Sequence, residues 1–271
     1  MKRERPLLGY ASRPAMVAWL LVVGAFLYIP LAVMVLFSFN QGRRTAVWRG
    51  FTTDWYARAL SNSELLAALG NSLAIAAATT VFAVVLGTCA ALVLQRPFRG
   101  RATMAGALAL PIVAPEICMG VATLVFFARV LPWPAGLAWP LNLFPIVAAH
   151  TAFAFPFVAI VVRARLASLN PEVEEAARDL GAGPWRALID VVLPHLRPSL
   201  IAGALLAFTL SLDDFVITFF ASGPDTVTFP VKVYSMVRFS VTPEVNAIST
   251  LLLALTVALT WAALRLQRDQ L

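Results

Sequence analysis

The sequence predicts an all-α membrane protein with six transmembrane helices. Of its 271 residues, 60% are hydrophobic and only 13% charged, whereas a soluble domain carries roughly 45–50% apolar and about 25% charged residues. The mean hydropathy is +0.82. Long charge-free runs alternate with short charged segments, and nothing left over is large enough for a soluble domain of roughly 100 residues. That argues against a secreted protein, a soluble enzyme or a nucleic-acid binder. The net charge of +7 and a pI near 10.2 would suit a nucleic acid, but in a membrane protein they mark Lys and Arg in cytoplasmic loops. Lipid, not nucleic acid, is the expected surrounding.

Taken in order, residues 16–39 form the first expected span. A basic start precedes them, as in a signal peptide, but the run exceeds a signal h-region of roughly 7–15 residues and lacks a clean small-residue cleavage site. A retained helix is expected. Glu64 and Arg96 bound the second span, 66–94, and the third, 102–128, is interrupted only by Glu116. Residues 131–140, LPWPAGLAWP, are too proline-rich for a helix. The fourth span is 141–162, the fifth 199–221 with Asp213 and Asp214 inside it, and the sixth 245–264. Each approaches or exceeds the roughly 20 residues that cross a hydrocarbon core. No internal repeat is visible, and residues 1–271 read as one transmembrane domain.

With the N-terminus inside, 14 of the 21 Lys and Arg fall on the cytoplasmic side, so both termini are expected there. Arg43, Arg44, Arg49 and Arg58 on the outer side soften that asymmetry without reversing it. Trp48, Trp55, Tyr56, Trp133, Trp139 and Trp261 sit near expected interfaces and read as an aromatic belt. Cys89 and Cys118 lie in apolar stretches and read as small buried hydrophobes. With only His150 and His195 besides, no metal-ligand spacing exists.

The cytoplasmic loop 163–198 is unlike the others. It holds Glu172, Glu174, Glu175, Asp179 and Asp190. Asn170 is a good N-cap, Pro171 suits the first helical position, and the three glutamates complement the positive helix start. Gly181 fits a helix stop. A second helix is expected from Pro184, with Trp185, Leu188, Val191 and Val192 on one face and Pro194 at its end. Such a stripe needs cover: the membrane, the protein's own bundle, or a cytoplasmic partner.

Glu175-Ala176-Ala177, three residues, Gly181, nine residues, then Val191-Val192-Leu193-Pro194 resembles the EAA loop of ABC-importer permeases. Val191 stands where that pattern has isoleucine. The resemblance implies a type I importer permease (MetI-like) fold with a cytoplasmic coupling helix seated in a groove of an ATP-binding cassette ATPase dimer. It further implies that Glu174 and Glu175 pair with basic groups there, that Ala176 and Ala177 permit close approach, and that Gly181 turns the chain between two helices. Closure of the ATPase would swing the membrane helices between inward-open and outward-open states. ATP and its magnesium belong to that partner, because Walker A needs Gly-Lys-Ser/Thr and the only lysines are Lys2 and Lys232. No cofactor is expected in this chain, and no catalysis. Six spans are small for a complete pathway, so a second related permease subunit and a periplasmic solute-binding protein are implied.

Glu116, Asp213 and Asp214 are acids inside spans, each costing roughly 2.5–3.5 kcal/mol at mid-bilayer. Glu116 follows Pro115, which could restart a broken helix and leave the acid merely complementing its N-terminus. Asp213 and Asp214 point about 100° apart on a helix, so one can face a pathway while the other bonds a partner helix or a broken backbone. Together they could line the path of a cation. SLDDFVITFF, residues 211–220, and the Pro-Glu of the third span are similar to the spermidine/putrescine branch of the permease family, which implies polyamine import. Thiamine, iron or an amino-acid derivative remain rival cargoes. An intramembrane aspartyl enzyme or a passive channel would need no ATPase dock.

Overall fold

The computed structural model describes residues 13–42, 47–130, 142–239 and 243–268. Nearly all of them are helical: α1 (Arg13–Phe37), α2 (Asp54–Ser61), α3 (Ser63–Gln95), α4 (Arg101–Val113), α5 (Glu116–Val125), α6 (Leu143–Leu166), α7 (Pro171–Asp179), α8 (Pro184–Ala187), α9 (Leu193–Leu212), α10 (Val216–Ala221), α11 (Phe229–Phe239) and α12 (Pro243–Arg268). Contacts divide the chain into two units, one of Met1–Ser61 with Met236–Leu255 and one of Asn62–Ser235 with Thr256–Leu271.

In the first unit, α1 exposes its apolar side chains all round, with none of its span window buried, as a helix meant for lipid or another subunit does. Its end is tied by a short hairpin. Asn40 pairs with Phe51 across an isolated bridge, and its side-chain oxygen accepts from the backbone N–H of Gly42 and Arg49 at 3.2 and 2.9 Å. Trp55 is buried here and donates its indole N–H to the Asn40 carbonyl at 2.8 Å, while Tyr56 shares a 2.6 Å hydrogen bond with Ser38. These two aromatics peg a hairpin rather than line a belt, because buried Trp and Tyr polar tips need partners. Arg58 lies 4.9 Å over the Trp55 ring. Trp48 and Trp261 are exposed, and Trp133 and Trp139 fall outside the described residues.

The second unit is built on α3, α6 and α9, which pack together through Ala83, Ala91, Ala154, Val158, Leu196 and Ala207. Small residues dominate, which lets apolar helices approach closely where no water drives them together. Val158 of α6 fits against Gly87 and Gly203. Cys89 and Cys118 are exposed rather than buried, since they lie on outward faces of apolar helices.

Among the described residues, four helices are long and apolar enough to cross a membrane: Pro14–Phe37, Ser63–Gln95, Leu143–Leu166 and Pro184–Leu212. The expected third span is not one straight rod. Arg101–Val113 and Glu116–Val130 meet at a 104° bend, because Pro115 has no N–H to continue α4 and pushes the residue before it out of the helical region. The expected fifth span starts earlier and ends in a break. Its helix runs on from α8 through a π segment, Leu188–Val192, into α9. Pro194, expected as a stop, instead lies in the first turn of α9, where the preceding wide turn leaves room for its ring. Three residues, 213–215, then separate α9 from α10. The sixth expected span lies within α12, whose apolar part among described residues is Pro243–Ala258.

Candidate functional site

Two clusters of predicted site residues lie at opposite ends of α9, a helix of 20 residues and so about 30 Å long. The first is the charged arm before it. Asn170 caps α7, its side-chain oxygen accepting from the Glu172 N–H at 3.1 Å with Pro171 at the first position. The helix ends in a Schellman turn. The N–H of Gly181 donates to the Arg178 carbonyl at 2.9 Å, and that of Ala182 to the Ala177 carbonyl at 3.0 Å. Gly181 sits at φ +86°, a left-handed conformation that glycine adopts without a Cβ penalty.

Across this arm the predicted residues separate. Glu174 is half-buried and bonds Arg178 at 2.6 Å, one turn on in the same helix, whereas Glu175 and Ala176 are exposed and Ala177 is partly buried. Val191, Leu193 and Pro194 are half-buried. The apolar stripe is only part covered. Leu188 and Val192 turn inward against the α3–α6–α9 core, while Leu180 and Trp185 stay 90% and 75% exposed and Ile189 is exposed beside them. A cavity of about 430 Å³ opens here, lined by Gln95, Arg96, Glu174, Arg178, Trp185 and Leu188. Glu175 of α7, Leu180 at its C-terminal cap and Trp185 of α8 are thus left outward.

The second cluster joins two helix breaks. Glu116 opens α5 with its carboxylate exposed, where the positive end of the helix favours it. Asp213 closes α9, also exposed. Its charge adds to the negative end of that helix, which makes the position attractive to a cation. The two carboxylates are near enough to interact electrostatically. What holds the breaks together is α5 packed on α10: at Gly120 a Cβ would stand 2.8 Å from the Phe220 ring and 3.3 Å from the Val216 carbonyl oxygen.

Asp214 is different. It is buried and its Oδ1 accepts from the Thr218 N–H at 2.9 Å and the Thr218 hydroxyl at 3.1 Å. His150 of α6 lies 3.3 Å away through Nε2. The imidazole is buried and also touches Ser211 Oγ at 2.8 Å through Nδ1 and Thr218 Oγ1 at 2.9 Å through Nε2. The acid pair therefore splits into one outward carboxylate and one inward cap. His150 was missed among the span acids, although a titratable ring inside the fourth span was signal enough.

Four helices long and apolar enough to cross a membrane, helix breaks at 114–115 and 213–215, and a capped, charged arm before α9 fit an integral membrane permease. Putrescine transport system permease protein PotI of Escherichia coli (strain K12) is 42% identical over 245 residues, covering 89% of this chain and 86% of that protein. Spermidine/putrescine transport system permease protein PotC of the same organism is 38% identical over 247 residues, covering 91% of each. The crystal structure of a bacterial ABC transporter involved in the import of the acidic polysaccharide alginate superposes with a TM-score of 0.76 over 94% of each chain at 17% identity, so the fold is shared. Residues 83–269 match the family described as binding-protein-dependent transport system inner membrane component, and the chain belongs to that family. It is a transport subunit, not an enzyme.

Proposed function

We propose that this permease carries a cationic amine, putrescine or spermidine, across the inner membrane in an ATP-driven importer. The single observation that carries the reading is the pair Glu116 and Asp213, two exposed carboxylates at neighbouring helix breaks, in a chain whose relatives are named for polyamine transport. Discontinuous helices suit this task, since helix C-terminal ends and carboxylates replace the hydration of a cation. Carboxylates on two different helices also match a solute that carries its charges on separate amines.

The proposal extends to partners and orientation. Counting the bent α4–α5 pair and α12 with the four long helices makes six spans, and the whole chain acts as one permease domain. The excess of Lys and Arg puts both termini in the cytoplasm. There α7 and α8 form the coupling element, with Glu175, Ala176, Leu180 and Trp185 toward an ATPase dimer and Glu174, Ala177, Gly181, Val191, Leu193 and Pro194 holding the arm's shape. That dimer binds the ATP and magnesium. A second related permease subunit completes the pathway, and a periplasmic binding protein delivers the cargo.

Uptake of labelled putrescine and spermidine by cells expressing the whole complex, with and without this chain, tests the reading. Chain-dependent uptake competed by unlabelled polyamine is expected. A complex that assembles and hydrolyses ATP but moves neither amine would remove the polyamine cargo.

A further inference from the structure

The break at 213–215 carries a local mark on one side only: Asp214 accepts from the Thr218 N–H and hydroxyl at the start of α10, and among the described residues nothing comparable within the break ties the end of α9. Residues 204–222 contain neither proline nor glycine, and the apolar sequence on both sides is helix-forming in a membrane. The α4–α5 break, by contrast, is written into the chain by Pro115. The bond that ties α9 to α10 across the second break comes from outside both helices.

We propose that His150 is the positioning residue that holds this break open, and that it thereby fixes Asp213 beside Glu116; the inference rests on the reading of those two acids as the solute path. One imidazole reaches both sides of the gap. Its Nδ1 meets Ser211 in the last turn of α9, and its Nε2 meets Thr218 inside α10 and, at 3.3 Å, Asp214 between them. A single proton arrangement satisfies the whole set. The Ser211 hydroxyl donates to Nδ1, Nε2–H donates to Thr218 Oγ1, and the Thr218 hydroxyl and backbone N–H donate to Asp214 Oδ1. His150, Ser211, Asp214 and Thr218 are all buried, where leaving any of these groups unpaired is costly. The ring comes from α6, which is fixed in the core through Val158 and Ala154, and α10 packs on the same helix through Ile217 against Ala149 and Phe153. Were the gap to close into continuous helix, each residue beyond Leu212 would be reset at 100° per residue and Asp213 would lose its fixed bearing toward α5.

The test is uptake of labelled putrescine by the full complex carrying His150→Leu, Ser211→Ala or Thr218→Val, with the amount of assembled complex measured in each. A positioning role raises KM about tenfold while binding-protein-stimulated ATP hydrolysis persists, and His150→Gln, which keeps a donor toward Thr218, recovers part of the loss. A cargo-independent readout accompanies it. With Cys89 and Cys118 replaced by alanine, the maleimide labelling rate of Asp213→Cys in the purified complex changes several-fold when His150→Leu is added. Unchanged KM together with unchanged labelling overturns the inference. If His150→Leu does not assemble, Ser211→Ala and Thr218→Val decide, since each removes one arm and keeps the ring. Asp213→Asn and Glu116→Gln separate the two ideas. If they raise KM and the His150 set does not, positioning fails alone; if they leave uptake unchanged, the solute-path reading fails and the inference falls with it.

Discussion

Gly120 and Phe220 touch so closely that a methyl group on the glycine would lie 2.8 Å from the ring's Cδ2. The same methyl would also stand 3.3 Å from the Val216 carbonyl oxygen, so turning the ring aside would not relieve the whole overlap. Gly120→Ala is therefore expected to overpack the α5–α10 contact at about 1–3 kcal/mol. A lowered unfolding midpoint of the purified complex measures this, and Phe220→Leu in the same chain should restore part of it.

Adjacent acids with opposite surroundings should respond in opposite ways. Asp214→Ala leaves the Thr218 N–H and hydroxyl without their acceptor in a buried site, at about 1–3 kcal/mol, so less complex should survive detergent extraction. Asp213→Asn alters an exposed carboxylate and should leave stability within about 0.5 kcal/mol while uptake of labelled putrescine drops. Equal loss of assembly in both variants would contradict this division.

On the charged arm, Glu175→Arg reverses an exposed charge and should release or uncouple the ATPase. Glu174→Gln removes an exposed i,i+4 ion pair with Arg178, a contact that contributes only about 0.3–0.5 kcal/mol, and should leave coupling near normal. Stimulated ATP hydrolysis in reconstituted complexes distinguishes the two. Normal stimulation in Glu175→Arg would show that the ATPase docks elsewhere.

Gly181→Ala places a Cβ on a residue at φ +86°, costing about 1–2 kcal/mol. The Schellman turn should loosen, so α7 and α8 change their mutual angle. Membrane insertion should be unaffected while transport per assembled complex falls. Proteolytic nicking between Leu180 and Pro184 should accelerate in step, which a time course on the purified complex would show.

How legible was this in the sequence? The all-helical membrane fold follows from charge-free runs, and the break at Pro115 from an imino acid that cannot continue a helix. The caps of α7 were readable because Asn170, Pro171 and Gly181 act through their own backbone geometry. The gap at 213–215 was readable only in part: adjacent aspartates allowed for a broken backbone, which Asp214 caps, whereas the bond from His150 to Ser211, 61 residues away, leaves no local pattern. Trp55 misled for a related reason. Its place near an expected interface suggested a belt, but a carbonyl freed at Asn40 claimed its N–H. The stripe Trp185–Leu188–Val191–Val192 was drawn at α-helical period, whereas the π segment shifts the phase, so Leu188 and Val192 turn inward while Trp185 faces out.

That π segment, Leu188–Val192, amounts to an α-helix carrying one surplus residue. Excising a single amino acid there would let the ladder close into ordinary α geometry. The arm would then draw in by about 1.5 Å and swing about 100° around the helix axis. Trp185 and Glu175 would keep their chemistry and lose their compass bearing. The direction in which this protein offers its arm is thus a matter of counting, and an indel of one codon can miss a partner that no point substitution on the arm would disturb as much.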